Sequence, residues 1–194
     1  MPDPNAPPGW SYNPASWAQR LPIVGAAAVG FVIAGYLALC QSGVFGAVWD
    51  PVFGAGSAVV LNSWVAKGVE RYLGVSDAAL GALGYLCDAT AGVIGGTRRW
   101  RTMPWLVLLF GVLVGPLGAV SIALVILQPF VGGWCFLCLV TALISAVMVG
   151  PALDEVLASL QHLRREQRAG RSAWQALWGP ADGRPAARLA TAKG

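Results

Sequence analysis

The stretch "VGGWCFLCLVTALISAVMVG", Val131–Gly150, joins an apolar run without a charged side chain to two cysteines in C-x-x-C spacing. Its residues 134–150 approach the length of a membrane-spanning helix, which needs about 17–25 apolar residues. The whole chain fits this setting, because 56% of its 194 residues are hydrophobic, only 11% are charged, and the mean hydropathy is +0.62. Soluble domains carry about 25% charged residues. The composition therefore predicts an all-α membrane protein.

Three other apolar segments have the length and composition of spans. With residues 134–150 they predict a bundle of four transmembrane helices, the other three at about residues 21–39, 77–94 and 104–127. Between the first two spans the chain is too polar to cross a bilayer. Within it, Ser57–Leu73 has helical periodicity and predicts an amphipathic half-helix near the outer interface. Gln128–Trp134 is predicted to be a short turn.

The predicted domain boundaries follow the same change in composition. Residues 21–153 form the membrane domain. Residues 1–20 are rich in proline and polar side chains, which predicts a cytoplasmic tail that is disordered or lies on the surface. Residues 154–194 predict a basic amphipathic helix followed by a disordered cytoplasmic tail.

The distribution of arginine predicts the orientation. The connection of residues 40–77 has two basic residues against three acids, whereas the segments after the second and fourth spans are strongly basic. The basic residues of those two segments are Arg98, Arg99 and Arg101, and Arg164, Arg165, Arg168 and Arg171. Because basic loops stay in the cytoplasm, both termini are expected there. The C-x-x-C then faces the periplasm of a bacterial inner membrane, a compartment in which disulfides form.

The C-x-x-C at a helix start suits redox chemistry. Cys135 and Cys138 would lie on one helical face, near enough to form a disulfide. The helix amino terminus favours a thiolate, so Cys135 is predicted to be the more reactive cysteine. Two alternatives stay open: cysteines that only fill space in an apolar helix, and a zinc site. Zinc needs about four ligands, and the chain offers this dithiol and His162.

Two further residues of the second predicted span draw interest. Cys87 lies deep in it and is predicted to be an inert core cysteine. Asp88 is an acid within the membrane, which often indicates function. The alternative is that Asp88 forms a hydrogen bond with a neighbouring helix.

The order of these features resembles the vitamin K epoxide reductase family. "ALCQSGVFGAVWDPVFG" (Ala38–Gly54) is similar to the start of that family's cysteine-bearing loop, and "SDAALGALGYL" (Ser76–Leu86) to the start of its second span. "WCFLC" (Trp134–Cys138) is similar to its redox motif in sequence and position. The resemblance extends over about residues 20–150.

The resemblance implies an enzyme, a membrane thiol:quinone oxidoreductase that supports disulfide formation outside the cytoplasm. Members of the family bind a quinone near the outer face and reduce it with the C-x-x-C thiols. A pair of loop cysteines then passes electrons to that disulfide from a thioredoxin-fold partner. The implied cofactor is ubiquinone or menaquinone. The implied partners are membrane lipid and a periplasmic thioredoxin-fold thiol oxidase, with neither metal nor nucleic acid.

The resemblance also assigns roles to individual residues. Cys138 would be the sulfur nearest the quinone, Cys135 would exchange with the loop, and Cys40 would match the first loop cysteine as an accessory residue. The implied quinone-binding residues are Asp77, in place of a hydrogen-bond donor, and the aromatic Phe53 and Tyr85.

Two departures from the family pattern shape the expectations. Ala47–Asp50 stands where the second loop cysteine is expected. Either a partner attacks the Cys135–Cys138 disulfide directly, or Cys40 alone mediates, or the fold is kept without full relay activity. The last case corresponds to a non-enzymatic quinone-binding or partner-binding subunit. In addition, Ala142 stands where the family has a tyrosine, which favours a respiratory quinone over vitamin K epoxide.

Overall fold

A computed structural model describes residues 5–179, and within that range the chain is helical and has no strand. Its eight helices are α1 (Trp17–Gln41), α2 (Gly56–Leu61), α3 (Trp64–Leu73), α4 (Asp77–Val93), α5 (Arg99–Thr102), α6 (Pro104–Val131), α7 (Phe136–Arg168) and α8 (Ala173–Leu177).

Three of these helices, α1, α6 and α7, are long and apolar enough to cross a membrane. Helix α4 has 17 residues and is therefore about 26 Å long. Helix α1 packs against α4 and α7, and α6 packs against the same two helices. The described residues are all-α, as predicted, and three of their helices have the length and composition of a span, so the predicted bundle of four transmembrane helices stays a prediction.

Small residues form much of the contact between these helices. Ala27, Ala34 and Ala82 are buried in the main core, where Phe110 and Met148 also lie. Small side chains let membrane helices approach closely, since apolar burial gives them no driving force inside lipid. Many large apolar side chains point outward instead, as expected for helices surrounded by acyl chains.

Two predicted boundaries are wrong. Helix α6 continues to Val131, so the first part of the predicted turn is helical, and Gly132 ends the helix with a φ of +82°. Ser57–Leu73 is not one helix. It divides into α2 and α3, because the Ser63 side chain accepts a hydrogen bond from the Ala66 N–H and starts a new helix. Serine competes with helix continuation in this way and is a preferred cap.

Helix α7 continues through Pro151 to Arg168 as a single helix of 33 residues. It therefore joins the predicted fourth span to the predicted basic amphipathic helix. The predicted disordered tail lies, from residue 180 onward, outside the described residues.

The amino-terminal segment packs against the helices, in contrast to the predicted disordered or surface-lying tail. Asn13 is buried, and its side-chain amide donates to the carbonyl oxygen of Thr97 at 2.9 Å. Arg20 is 1% exposed and donates to the carbonyl oxygens of Gly92 and Ile94. Carbonyl groups at a helix end have no partner within the helix, so this guanidinium satisfies the end of α4.

Arg99 is also buried, whereas the sequence indicates only that it belongs to a basic cytoplasmic turn. Its guanidinium forms a two-pronged ion pair with Glu155 of α7, and it also donates to the carbonyl oxygens of Ala91 and Ile94. Glu155 lies 19 residues after Phe136, which is about 29 Å along the helix. Arg98, Arg99 and Arg101, here called the arginine cluster, and the C-x-x-C therefore lie at opposite ends of about one hydrocarbon thickness.

Candidate functional site

The two cysteines of the C-x-x-C form a disulfide at the start of α7, with their Cα atoms 5.2 Å apart. Cys135 is the residue before the first helical turn, and its sulfur accepts a hydrogen bond from the Cys138 N–H at 3.2 Å. Cys135 is completely buried, whereas Cys138 is half-buried. The two sulfurs therefore differ in what can reach them.

Two side chains from other parts of the chain hold the start of α7. The Cys135 N–H donates to Oε1 of Gln128 at 2.9 Å, and the Phe136 N–H donates to Oδ2 of Asp50 at 3.1 Å. The first N–H groups of a helix have no partner within the helix. Gln128 is buried at the end of α6, so it connects α6 directly to the redox motif.

Asp50 connects the loop after α1 to the same helix start. Partial burial raises the pKa of the Asp50 carboxyl. Hydrogen bonds from the Ser57 hydroxyl and from the N–H groups of Phe53, Phe136 and Val52 outweigh this effect and lower the pKa to about 2. Hydrogen bonds donated to a carboxylate favour its charged form. Asp50 is therefore a carboxylate at neutral pH.

The backbone of the loop lies directly against the segment that precedes the C-x-x-C. A Cβ atom on Gly56 would lie 2.7 Å from the carbonyl oxygen of Trp134, and one on Gly133 would lie 2.8 Å from the carbonyl oxygen of Gly56. Only glycine permits such an approach. Phe53 stacks on Trp134 at the same place, with ring centroids 6.2 Å apart.

A cavity of about 100 Å³ lies on the inner side of the disulfide. Cys138 is on its wall, together with Tyr85 and Asp77, whereas Cys135 is not. The rest of the wall is largely apolar, and the polar side chains on it include Gln41, Ser63, Ser121, Gln128 and Thr141. An apolar cavity with a few polar groups is typical of sites for small organic ligands.

The polar side chains of the cavity are held in two groups. Gln41 donates to Oδ1 of Asp77 at 2.6 Å, which ties the end of α1 to the start of α4. The Tyr85 hydroxyl donates to the carbonyl oxygen of Thr141 at 2.6 Å and lies 2.7 Å from the Ser145 hydroxyl. Both groups are fixed by the protein itself, which lowers the entropic cost of ordering them on a ligand.

The remaining site residues from the sequence lie elsewhere. Phe53 is outside the cavity wall and supports the chain before the C-x-x-C. Cys40 lies in the last turn of α1 rather than in the loop, and its thiol is free. It packs against the apolar cluster that contains Cys135. Cys87 is also free.

Asp88 is completely buried, and neither of its carboxyl oxygens has a hydrogen-bond partner among the described residues. The alternative in which Asp88 forms a hydrogen bond with a neighbouring helix is therefore not found in the described part of the chain. A charged carboxylate without a partner at such a position would cost several kcal/mol.

Asp50 and Gln128 are functional candidates that the sequence did not identify. Aspartate before proline favours a turn in which the carboxylate binds nearby N–H groups, so "WDP" is a signal for the local contacts of Asp50. Its contact with Phe136 spans 86 positions of sequence and leaves no such signal. Gln128 belongs to the segment that the sequence predicts to be a short turn.

The fold and this site define a class of protein: a helical membrane protein whose C-x-x-C disulfide borders an apolar cavity. The model of the vitamin K epoxide reductase family matches residues 21–153. Comparisons with curated proteins and with solved structures gave no match. Since the match covers more than half of the chain, the protein belongs to the vitamin K epoxide reductase family. Membership indicates a membrane oxidoreductase of the general thiol–quinone type.

Proposed function

We propose that this protein is a membrane thiol:quinone oxidoreductase in which Cys135 and Cys138 are the redox pair and the cavity binds a quinone. Its role would be to support disulfide formation outside the cytoplasm. The observation that carries the proposal is the position of the disulfide. One sulfur, that of Cys138, belongs to a residue on the wall of the cavity, while the other is buried beside the loop.

The residues of the cavity fit a quinone head group. Its apolar wall suits a ring and the first part of a prenyl chain. The Ser121 hydroxyl can rotate to donate to a quinone oxygen, and the Asp77 carboxylate, which already accepts from Gln41, can also accept from a quinol hydroxyl. Tyr85 packs between α1 and α7 and defines one side of the space. Either ubiquinone or menaquinone meets these requirements.

The chemistry follows thiol–disulfide exchange. A donor thiolate attacks Cys135, which releases Cys138 as a thiolate and forms a mixed disulfide. A second donor thiol then attacks that mixed disulfide, leaving the donor oxidised and both cysteines reduced. A bound quinone would take up two electrons and two protons and leave as the quinol. Cys138, beside the cavity, is the cysteine placed to deliver them, and Cys135 re-forms the disulfide with it.

The proposed setting is the bacterial inner membrane, with α4 as the fourth helix of a transmembrane bundle. Helix α4 is short for a span but packs between α1 and α6. Residues 5–16, the arginine cluster and the end of α7 would face the cytoplasm, because cytoplasmic segments are basic. The C-x-x-C and the loop would face the periplasm, where a thioredoxin-fold thiol oxidase would supply electrons.

The test is quinol formation by the purified protein in detergent, with dithiothreitol as donor and short-chain ubiquinone or menaquinone as acceptor. Cys135→Ser and Cys138→Ser should each abolish turnover. Cys87→Ser is the matched control and should retain it, because Cys87 lies outside the cavity wall. Equal loss in all three variants would indicate a packing effect. Quinone binding by the wild type without turnover would instead support the non-enzymatic subunit.

A further inference from the structure

We propose that Asp50 is a positioning residue that sets the thiol–disulfide equilibrium of Cys135 and Cys138 by holding a negative charge at the start of α7. This inference rests on the proposed function only in taking the two cysteines as redox-active.

The carboxylate is held from both sides. Its Oδ1 accepts from the N–H groups of Val52 at 2.9 Å and Phe53 at 2.7 Å. Its Oδ2 accepts from the Ser57 hydroxyl and from the Phe136 N–H. Four donors on two oxygens leave the side chain little freedom to turn away. The charge therefore stays at the helix start, whatever the redox state of the neighbouring cysteine.

This position is the one that would otherwise favour a thiolate. The amino terminus of a helix stabilises one negative charge through its free N–H groups and its dipole. Here the Phe136 N–H is bonded to Asp50, and the Cys135 N–H is bonded to Gln128. A thiolate formed at Cys135 on reduction would be a second anion beside a fixed carboxylate. Like charges disfavour each other, so Asp50 favours the disulfide over the reduced pair.

The direction of the effect differs from the expectation for an isolated C-x-x-C at a helix start. There the helix stabilises the reduced thiolate and makes the disulfide a stronger oxidant. With Asp50 in place, the pair should be a weaker oxidant of donor thiols and a better electron donor to an acceptor. This direction suits a protein that passes electrons onward.

The experiment is a redox titration of the full-length protein in detergent, with mixtures of reduced and oxidised dithiothreitol and without quinone. Thiols are counted by alkylation and mass, and Cys40 and Cys87 give a constant background. Asp50→Asn removes the charge and one acceptor. We expect its equilibrium constant to shift about tenfold toward the reduced pair, which is about 30 mV for two electrons. At fixed pH its reduced thiols should also be alkylated faster, with the pH profile displaced downward.

Two controls separate charge from packing. Ser57→Ala removes a hydrogen bond to Asp50 but keeps the carboxylate, and Glu70→Gln removes an exposed acid of α3. The thiol–disulfide equilibrium constants of both variants should stay within about twofold of the wild-type value, since the charge at the start of α7 is unchanged. An equal shift in Ser57→Ala would overturn the proposal in favour of loop packing, as would an unchanged equilibrium in Asp50→Asn.

A second pair of variants covers the case in which Asp50→Asn does not fold. Val52 is 60% exposed and lies beside Asp50 in the same turn, so its side chain can be replaced without loss of core packing. Val52→Lys should shift the equilibrium toward the reduced pair and Val52→Glu toward the disulfide. Shifts in the same direction, or none, would refute the electrostatic argument. Because quinone is absent, failure here is distinct from failure of quinone turnover.

Discussion

Gly30 of α1 offers a direct test of the cavity. A Cβ atom at this position would lie 2.6 Å from Cε1, 2.7 Å from Cζ and 2.8 Å from Cδ1 of Tyr85. Carbon atoms in good contact are about 3.5–4.0 Å apart. In Gly30→Ala the ring must therefore move by about 1 Å. Tyr85 is 2% exposed, so it can move only toward the cavity or by displacing its neighbours.

The expected cost is the sum of three terms. Overpacking of this kind costs about 1–3 kcal/mol. Moving the ring also weakens the hydrogen bond from the Tyr85 hydroxyl to Thr141, which is worth about 1 kcal/mol. Alanine in a helix gains about 1 kcal/mol over glycine. The net loss for Gly30→Ala is then about 1–3 kcal/mol. Gly35→Ala is the matched control in the same helix, since no atom lies within 4 Å of its Cβ position. It should be stabilised by about 1 kcal/mol.

Two measurements check this prediction: the free energy of unfolding in detergent, and the KM for a short-chain quinone in the turnover assay. Gly30→Ala should have a higher KM, because the displaced ring narrows the cavity, while its exchange with dithiothreitol in the absence of quinone stays unchanged. If both alanine variants had the same stability and the same KM, the contact between Gly30 and Tyr85 would not support the site.

Three other predictions concern topology, the loop cysteine and the buried ion pair. A reporter that is active only outside the cytoplasm should work when fused near Lys67 and fail when fused after Arg101, and activity at Arg101 would reverse the proposed orientation. Cys40→Ser should slow quinol formation with dithiothreitol without stopping it, and complete loss in a folded variant would make Cys40 obligatory. Glu155→Ala should lower the free energy of unfolding by about 3–5 kcal/mol, because it leaves the arginine of α5 buried without its counter-ion. The control Glu166→Ala breaks an exposed pair and should cost at most about 1 kcal/mol, so equal losses would contradict the burial argument.

The positions of the long helices could be predicted because apolar length and charge are local properties of sequence. Residues 21–39 and 104–127 each lie inside a helix of the structure, α1 and α6. Helix ends were less predictable. Gln128–Trp134 is predicted to be a turn, yet the last turn of α6 extends into it and contains Pro129. A proline near the end of a helix removes only one hydrogen bond, and packing can hold the helix beyond it.

The buried arginines could not be predicted, since their role depends on contacts between distant segments. Arg20 and Arg99 each bind carbonyl oxygens at the end of α4. In the sequence both are positive charges beside apolar runs, a pattern that indicates a cytoplasmic flank. The positive-inside rule counts such residues without distinguishing a solvated arginine from one that completes a helix end. The packing of the amino-terminal segment against the helices was not predictable for the same reason, because it depends on contacts with residues distant in sequence.

The disulfide was predictable from the sequence, whereas the solvent accessibility of its two sulfurs was not. The spacing of Cys135 and Cys138 indicates a disulfide, which the structure contains. Nothing in the spacing shows that Cys135 is completely buried beneath the loop, which Asp50 ties to α7. A thiolate must reach a sulfur along the disulfide axis to attack it.

That burial bears on the three alternatives for the incomplete relay. Direct attack on Cys135 by a folded partner requires the loop to open, whereas a small dithiol needs only a brief local opening. Cys40, half-buried in the last turn of α1, packs against the same apolar cluster as Cys135 and is more accessible. Mediation by Cys40 should therefore matter more for a protein donor than for dithiothreitol. Equal dependence on Cys40 for both donors would mean that the loop opens before either one attacks.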